Sequence, residues 1–163
     1  MENNPPGATA VRRAALSDLP RLLAMEQASP MAAHWAELEY RKALAEDSSD
    51  TDPVQCIVLV VESDGQVSGF LAARSAHPAE WEIENIVVDA AVRRLGFGGA
   101  LLGAFLERTR SRRSQSEALA FHLEVRESNL AARRLYEKFG FQLDRRRRAY
   151  YRQPDEDAVL YVL

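Results

Sequence analysis

The chain is 163 residues long, 47% apolar, with a net charge of −3 at neutral pH. That length fits one domain with an ordinary core, and no apolar run approaches the roughly 20 residues of a membrane span. Cys56 is the only cysteine, which excludes an intrachain disulfide. His34, His77 and His122 are scattered without metal-ligand spacing, so no metal is assigned.

Residues 1–8 are polar and contain Pro5, Pro6 and Gly7. They are expected to be a flexible N-terminus, followed by a single domain over 9–163. They lack the basic start and apolar stretch of a signal peptide, so the expected location is cytoplasmic. A short strand is expected over 9–13. Ser17-Asp18 offers an N-cap to a helix carrying Leu19, Leu22, Leu23 and Met25, with Pro20 in its first turn. Ser29-Pro30 ends that helix, and a second is expected over 34–45. A polar loop, 47–53, leads to an apolar strand over 55–62, where Cys56 is expected to be a buried, inert thiol.

Asp64-Gly65 is a hairpin signal, and the return strand is expected over 66–75. His77-Pro78 breaks it. Residues 80–88 alternate acidic and apolar side chains before becoming continuously apolar. A helix is expected from Gly98 to about Ser114, and a strand over 118–125 with Leu119, Phe121, Leu123 and Val125 on one face. Ser128 or Asn129 caps a helix running through Lys138, which Gly140 ends. Two strands, 141–152 and 158–162, finish the chain. The order β-α-α-β-β-β-α-β-α-β-β, without internal repeat or long linker, gives an α/β (α+β) class with a mixed sheet covered by helices on both faces.

The most informative run is Ile86-Val87-Val88-Asp89-Ala90-Ala91-Val92-Arg93-Arg94-Leu95-Gly96-Phe97-Gly98-Gly99-Ala100. A strand, a glycine turn and a helix N-terminus together make an anion site, because backbone N–H groups are bare and the helix dipole favours negative charge. A diphosphate is the expected ligand. Net charge agrees: residues 1–92 carry −9, whereas 93–163 carry +6. Gly98 is followed by Gly99 and Ala100, so the lysine and hydroxyl of a P-loop are missing. Leu101 stands where a dinucleotide fingerprint needs its third glycine.

What remains, Arg93-x-x-Gly96-x-Gly98, resembles the (Arg/Gln)-x-x-Gly-x-(Gly/Ala) signature of the GNAT family of N-acetyltransferases. The element order matches that fold, a central mixed, mostly antiparallel sheet, from about residue 9 to 163. Residues 123–141 resemble more closely the RimI-type ribosomal-protein-alanine N-acetyltransferase branch, whose Leu-Glu-Val-Arg-x-Ser-Asn-x-x-Ala-x-x-Leu-Tyr-x-x-x-Gly-Phe pattern runs here without a gap. Arg147-Arg148-Ala149-Tyr150-Tyr151 and Asp157-Ala158 echo the same branch. The resemblance thins at residues 28–35, Ala-Ser-Pro-Met-Ala-Ala-His-Trp, where the branch carries a Phe-Pro-Trp element that helps form the acceptor slot.

The resemblance implies acetyl-CoA as cosubstrate. Its pantetheine would pair with the backbone of Ile86, Val87 and Val88. Its pyrophosphate would lie against Arg93, Arg94, Leu95, Gly96, Phe97, Gly98 and Gly99, and Asn129 would touch the cofactor unless it serves only as an N-cap. The resemblance also implies Glu124 as general base and Tyr136 as general acid. Chemistry agrees: an α-amine with a pKa near ~8 is already partly neutral at neutral pH, and a phenol can protonate a departing thiolate. Structural alternatives are a Glu124–Arg126 surface pair and ordinary core packing for Tyr136.

Glu84, Tyr150 and Tyr151 are candidate acceptor contacts. Glu82 and Glu84 share a strand face, where a plain acidic stripe is the alternative. Residues 145–148 are four consecutive arginines that alternation should split between two faces with no aromatic platform interleaved, so direct nucleic-acid binding is not expected; a solvated hairpin is the plain reading, and contact with an acidic stretch of peptide or with the ribosome the alternative. No membrane contact is expected. The expected partner is a peptide or protein N-terminus, specifically a ribosomal protein beginning in alanine, with the enzyme a monomer or homodimer. Alternatives are a small-molecule amine as acceptor (an amino acid, polyamine or antibiotic), or a non-catalytic acetyl-CoA sensor.

Overall fold

The computed structural model describes residues 9–45, 54–77, 79–111 and 118–163. The expectations for residues 1–8, the 47–53 loop, Pro78 and the end of the third helix fall outside them. The elements are β1 (Ala10–Arg13), α1 (Leu19–Gln27), α2 (Glu37–Leu44), β2 (Gln55–Ser63), β3 (Gln66–His77), β4 (Glu80–Val88), α3 (Phe97–Ser111), β5 (Ala120–Arg126), α4 (Leu130–Lys138), β6 (Gln142–Tyr151) and β7 (Glu156–Val162). The expected order holds.

The seven strands form one sheet in the order β1-β2-β3-β4-β5-β7-β6, with only β4 and β5 parallel. Asp64 and Gly65 take φ of 53° and 74°, the left-handed pair that a two-residue hairpin between twisted strands requires. α1 and α2 cover β2–β4 on one face, with Leu22, Tyr40, Val60 and Phe70 fully buried between them. α3 and α4 cover the other face. There Phe105 sits edge-on to Trp81 at 5.6 Å and to Phe121 at 5.8 Å. Truncating such a ring to alanine costs about 3–5 kcal/mol.

Three local expectations change. The Asp18 side chain does not cap α1; its carboxylate accepts instead from Ala15 N–H at 2.7 Å and from Arg12 Nη1 and Nη2 at 2.7 and 2.9 Å. A charged two-pronged partner outweighs a single amide. α2 starts at Glu37, leaving His34 and Trp35 in the preceding loop, and Glu39 reaches back to the Ala36 N–H at 2.8 Å. Cys56 is half-buried rather than buried.

Two irregularities in β4 shape the molecule. Ala72 pairs with Asn85 and Ala73 with Ile83, so Glu84 is a bulged extra residue. Before the bulge Trp81 and Ile83 point to the α3 face. After it Ile86 and Val88 do so, while Asn85 and Val87 turn to α1 and α2. The bulge thus flips the strand's phase. The second irregularity is the β4–β5 pairing, which runs only from Glu80↔Ala120 to Ile83↔Leu123. Beyond it β4 continues to Val88 and β5 to Arg126, and the sheet splits.

Candidate active site

The split leaves Ile86, Val87 and Val88 paired with Leu71, Phe70 and Gly69 on one side, and outside the β4–β5 ladder on the other. Their outward amides and carbonyls can take an extended ligand as an added strand. At the end of this edge, Asp89 caps a short 3₁₀ turn, Ala90–Val92, through the Ala91 N–H at 2.9 Å. Arg94 and Gly96 then take φ of 68° and 89°. α3 begins at Phe97, and the Ala100 N–H is bonded to the Gly96 carbonyl at 3.0 Å. The amides of Phe97, Gly98 and Gly99 precede that first helical bond and form a helix N-terminus beside a left-handed turn, the donor set a diphosphate needs.

The glycines serve α4 as well. A Cβ on Gly98 would come 3.3 Å from a Leu135 methyl, and one on Gly99 would meet Phe139 and Leu135 at 3.7–3.8 Å. Their missing side chains therefore let α4 lie against the start of α3, while their amides remain for a ligand. Phe97 is core, Leu95 is exposed, and the Arg93 Nε donates to the Val88 carbonyl at 3.3 Å. Asn129 is the N-cap of α4, its side-chain oxygen accepting from Ala132 N–H at 3.2 Å.

The other side of the split is built from side chains. Phe121, Leu123 and Val125 point into the α3 core, which turns His122, Glu124 and Arg126 to the opposite face. α1 and α2 do not reach that far, and a cavity of about 280 Å³ opens there, lined in part by Glu82, His122, Glu124, Arg145 and Arg147. Glu124 pairs with Arg147 at 2.7 Å rather than with Arg126, which instead meets Glu156 at 3.4 Å. The Tyr150 hydroxyl faces Glu124, and that contact holds its phenol above the usual value. The Tyr150 and Tyr151 rings meet edge-on at 5.2 Å, and Arg126 stacks on Tyr151 at 4.2 Å. Burial first, then the Glu124 charge, pushes the Tyr151 phenol up to about 12. The arginine run splits as alternation requires: Arg145 and Arg147 line the cavity, and Arg146 pairs with Glu127 at 2.7 Å.

Tyr136 is 7% exposed, with ring centroids 5.8 Å from Phe141 and 6.1 Å from Tyr161. Burial raises its phenol, and Tyr151 adds to the shift, so Tyr136 holds its proton at neutral pH. Tyr150 and Tyr151 stand beside Glu124, and Tyr136 lies in the core within reach of Tyr151.

Glu84 belongs elsewhere. Trp35 Nε1 donates to it, and Arg74 Nε lies 3.2 Å away, off the hydrogen-bonding direction, so that contact is ionic. Burial raises the Glu84 carboxyl and Arg74 opposes the shift. Arg74 also stacks on Trp35 at 5.1 Å and donates to Glu39 at 3.1 Å. Below this network, buried Glu26 accepts from Tyr40 Oη and from Asn85 Nδ2 at 3.3 Å. The loop that departs from the branch pattern is thus fastened through Trp35 to the bulge of β4. Sequence reading misses Arg74, for which a lone arginine after Phe70-Leu71-Ala72-Ala73 is the available signal. It singles out Arg147 within the Arg147-Arg148-Ala149-Tyr150-Tyr151 echo, but not its pairing with Glu124.

The Acetyltransferase (GNAT) family model matches residues 19–141, from α1 through the end of α4. The chain belongs to this family. As a GNAT N-acetyltransferase it is 29% identical over 151 residues to the putative ribosomal protein bS18-alanine N-acetyltransferase of Bacillus subtilis, covering 93% of this chain and 92% of the relative. It is 37% identical over 116 residues to the N-alpha-acetyltransferase of Sulfurisphaera tokodaii, spanning 62% of this chain and 65% of that protein. The crystal structure of the ribosomal-protein-S18-alanine N-acetyltransferase from Escherichia coli superposes with a TM-score of 0.77 at 29% identity, over 96% of this chain and 93% of that one. Among the described residues of this GNAT protein, no helix is long and apolar enough to cross a membrane.

Proposed function

We propose that this enzyme transfers the acetyl group of acetyl-CoA to the α-amine of a protein N-terminus, with a ribosomal protein beginning in alanine as its acceptor. One observation carries this reading. The sheet splits beside a helix N-terminus on the β4 side, and Glu124 lines a cavity formed by β3, β4 and β5 together with the β6–β7 pair. Donor and acceptor then approach one point from opposite sides. Ile86, Val87 and Val88 hold the pantetheine, and the loop from Arg93 to Gly99 holds the diphosphate, with Asn129 beside it.

Glu124 accepts the proton of the ammonium terminus, directly or through water, and the neutral nitrogen then attacks the thioester carbonyl and forms the new C–N bond. The C–S bond breaks, Tyr136 delivers its proton to the leaving thiolate, and the second proton shed by the new amide nitrogen restores the phenol. Burial keeps the Tyr136 phenol protonated at neutral pH, so it has a proton to give. Tyr150 and Tyr151 wall the first acceptor residues, while Glu84 acts through the Trp35 loop at the rim. The names of the two relatives favour an N-terminal amine over a small-molecule amine.

The test is mass spectrometry after incubation with acetyl-CoA and peptides that differ at their first residue. Each has a twin blocked at the α-amine that keeps an internal lysine. Acetyl gain on free α-amines, strongest for alanine, is expected. Acetylation of blocked twins, or of none despite acetyl-CoA binding, overturns the reading.

A further inference from the structure

The Glu124 carboxylate, which lines the cavity, already has a cation from within the chain. Arg147 Nη1 lies 2.7 Å from Glu124 Oε1; the Glu124 side chain is 20% exposed and that of Arg147 46%. Arg147 reaches this position from the far side of the cavity. Its strand β6 is two strands from β5, and by register it stands opposite Ala158, which pairs with Arg126 rather than Glu124. The guanidinium therefore leans back along the cavity to find the carboxylate. It also lies over the Tyr150 ring at 5.4 Å, and Tyr150 faces the same carboxylate.

Both groups sit where an acceptor's α-nitrogen must come to give its proton to Glu124. We propose that Arg147 is a positioning residue that competes with the acceptor ammonium for Glu124: it neutralises the carboxylate until the acceptor binds and displaces it. This rests on the reading of Glu124 as the group that receives the acceptor amine.

A half-buried carboxylate without a partner is costly, and exchanging one cation for another keeps the site neutral throughout. The arriving terminus bears a positive charge in most molecules near neutral pH, so it can take Arg147's place and the proton is removed only afterwards. Displaced Arg147 has solvent beside it and an aromatic face to rest on, as expected for a half-exposed guanidinium. Exchange selects acceptors that present a charged nitrogen and disfavours neutral ones. It also means that part of each acceptor's binding energy is spent releasing Arg147.

The experiment is a double-mutant cycle on acceptor-peptide affinity, measured by calorimetry with the enzyme saturated in desulfo-CoA, a non-reacting donor analogue. Steady-state kinetics accompany it. Arg147→Met removes the competitor charge and keeps the length, and Arg147→Lys restores a cation. With Arg147→Met, peptide Kd and KM should fall about threefold to tenfold, with the change on KM rather than kcat. Arg147→Lys should restore wild-type values. In a Glu124→Gln background the affinity gain from Arg147→Met should vanish. A rise in Kd with Arg147→Met would show that Arg147 binds the acceptor instead of yielding to it. The same gain in both backgrounds would show that Arg147 acts without Glu124; either outcome overturns the proposal. Full turnover by Glu124→Gln would remove Glu124 as base without touching the binding cycle, so the two readings fail separately.

Discussion

The two limbs of the split sheet make their sites from different materials. On the β4 side the site is backbone: the open edge of Ile86, Val87 and Val88, a left-handed turn at Arg94 and Gly96, and the first amides of α3. On the β5 side it is side chains: Glu124 with Arg147, Tyr150 with Tyr151, and Tyr136 in the core behind them. Backbone donors in a tight turn need few particular residues, and those few are glycines in a fixed spacing. Side-chain sites depend on which strand lies beside which, and on how a hairpin leans. On the proposed reading, the β4 limb takes the donor and the β5 limb the acceptor.

That contrast can be broken by variants that act on one limb alone. Glu124→Gln should lower kcat by about 10²–10⁴-fold, and acetyl-CoA affinity measured by calorimetry should not change. A parallel loss of donor affinity would mean the limbs are not separate. Tyr136→Phe should lower kcat at least about tenfold with donor affinity nearly unchanged; equal turnover would leave Tyr136 as core packing beside Phe141.

Gly96→Ala reverses the pattern. At φ 89° a Cβ meets no neighbour within 4 Å, so the penalty is conformational. It is about 1–2 kcal/mol, and it should appear as weaker acetyl-CoA binding or a lower Tm with acceptor KM intact. Trp35→Phe keeps most of the ring and loses the bond to Glu84. A hydrogen bond to a charged group contributes about 1.5–3 kcal/mol, so a lower Tm and an acceptor KM raised a few-fold are expected, with donor affinity untouched.

The smallest effect lies away from both limbs. The Arg12 hydrogen bonds hold the Asp18 carboxyl below the usual carboxylate range. A depressed folded value contributes stability above the unfolded value near ~3.9, and that stability is lost as pH falls through the folded value. Asp18→Asn should lower stability at pH 7 and flatten the acid limb of a denaturation series below about pH 4. An unchanged acid slope would show that the Arg12 pair contributes nothing measurable.

The sequence by itself determined what depends on local pattern: the element order, the Asp64-Gly65 turn, the cap at Asn129, the glycine loop before α3, and the strand that carries Glu124 facing away from the α3 core. Period and turn chemistry act over a few residues, so they can be read from neighbours in the chain. Tertiary structure alone decided the pairings. Asp18 turns from its helix because Arg12 lies across a bend. Glu84 joins Trp35 and Arg74 rather than Glu124, because the bulge and the split send β4 and β5 apart. Glu124 meets Arg147 and not Arg126, because β7 lies between β5 and β6 and brings the hairpin's arginines over the cavity. Such choices compare the energies of partners distant in sequence, and a local pattern holds no record of which partner is near.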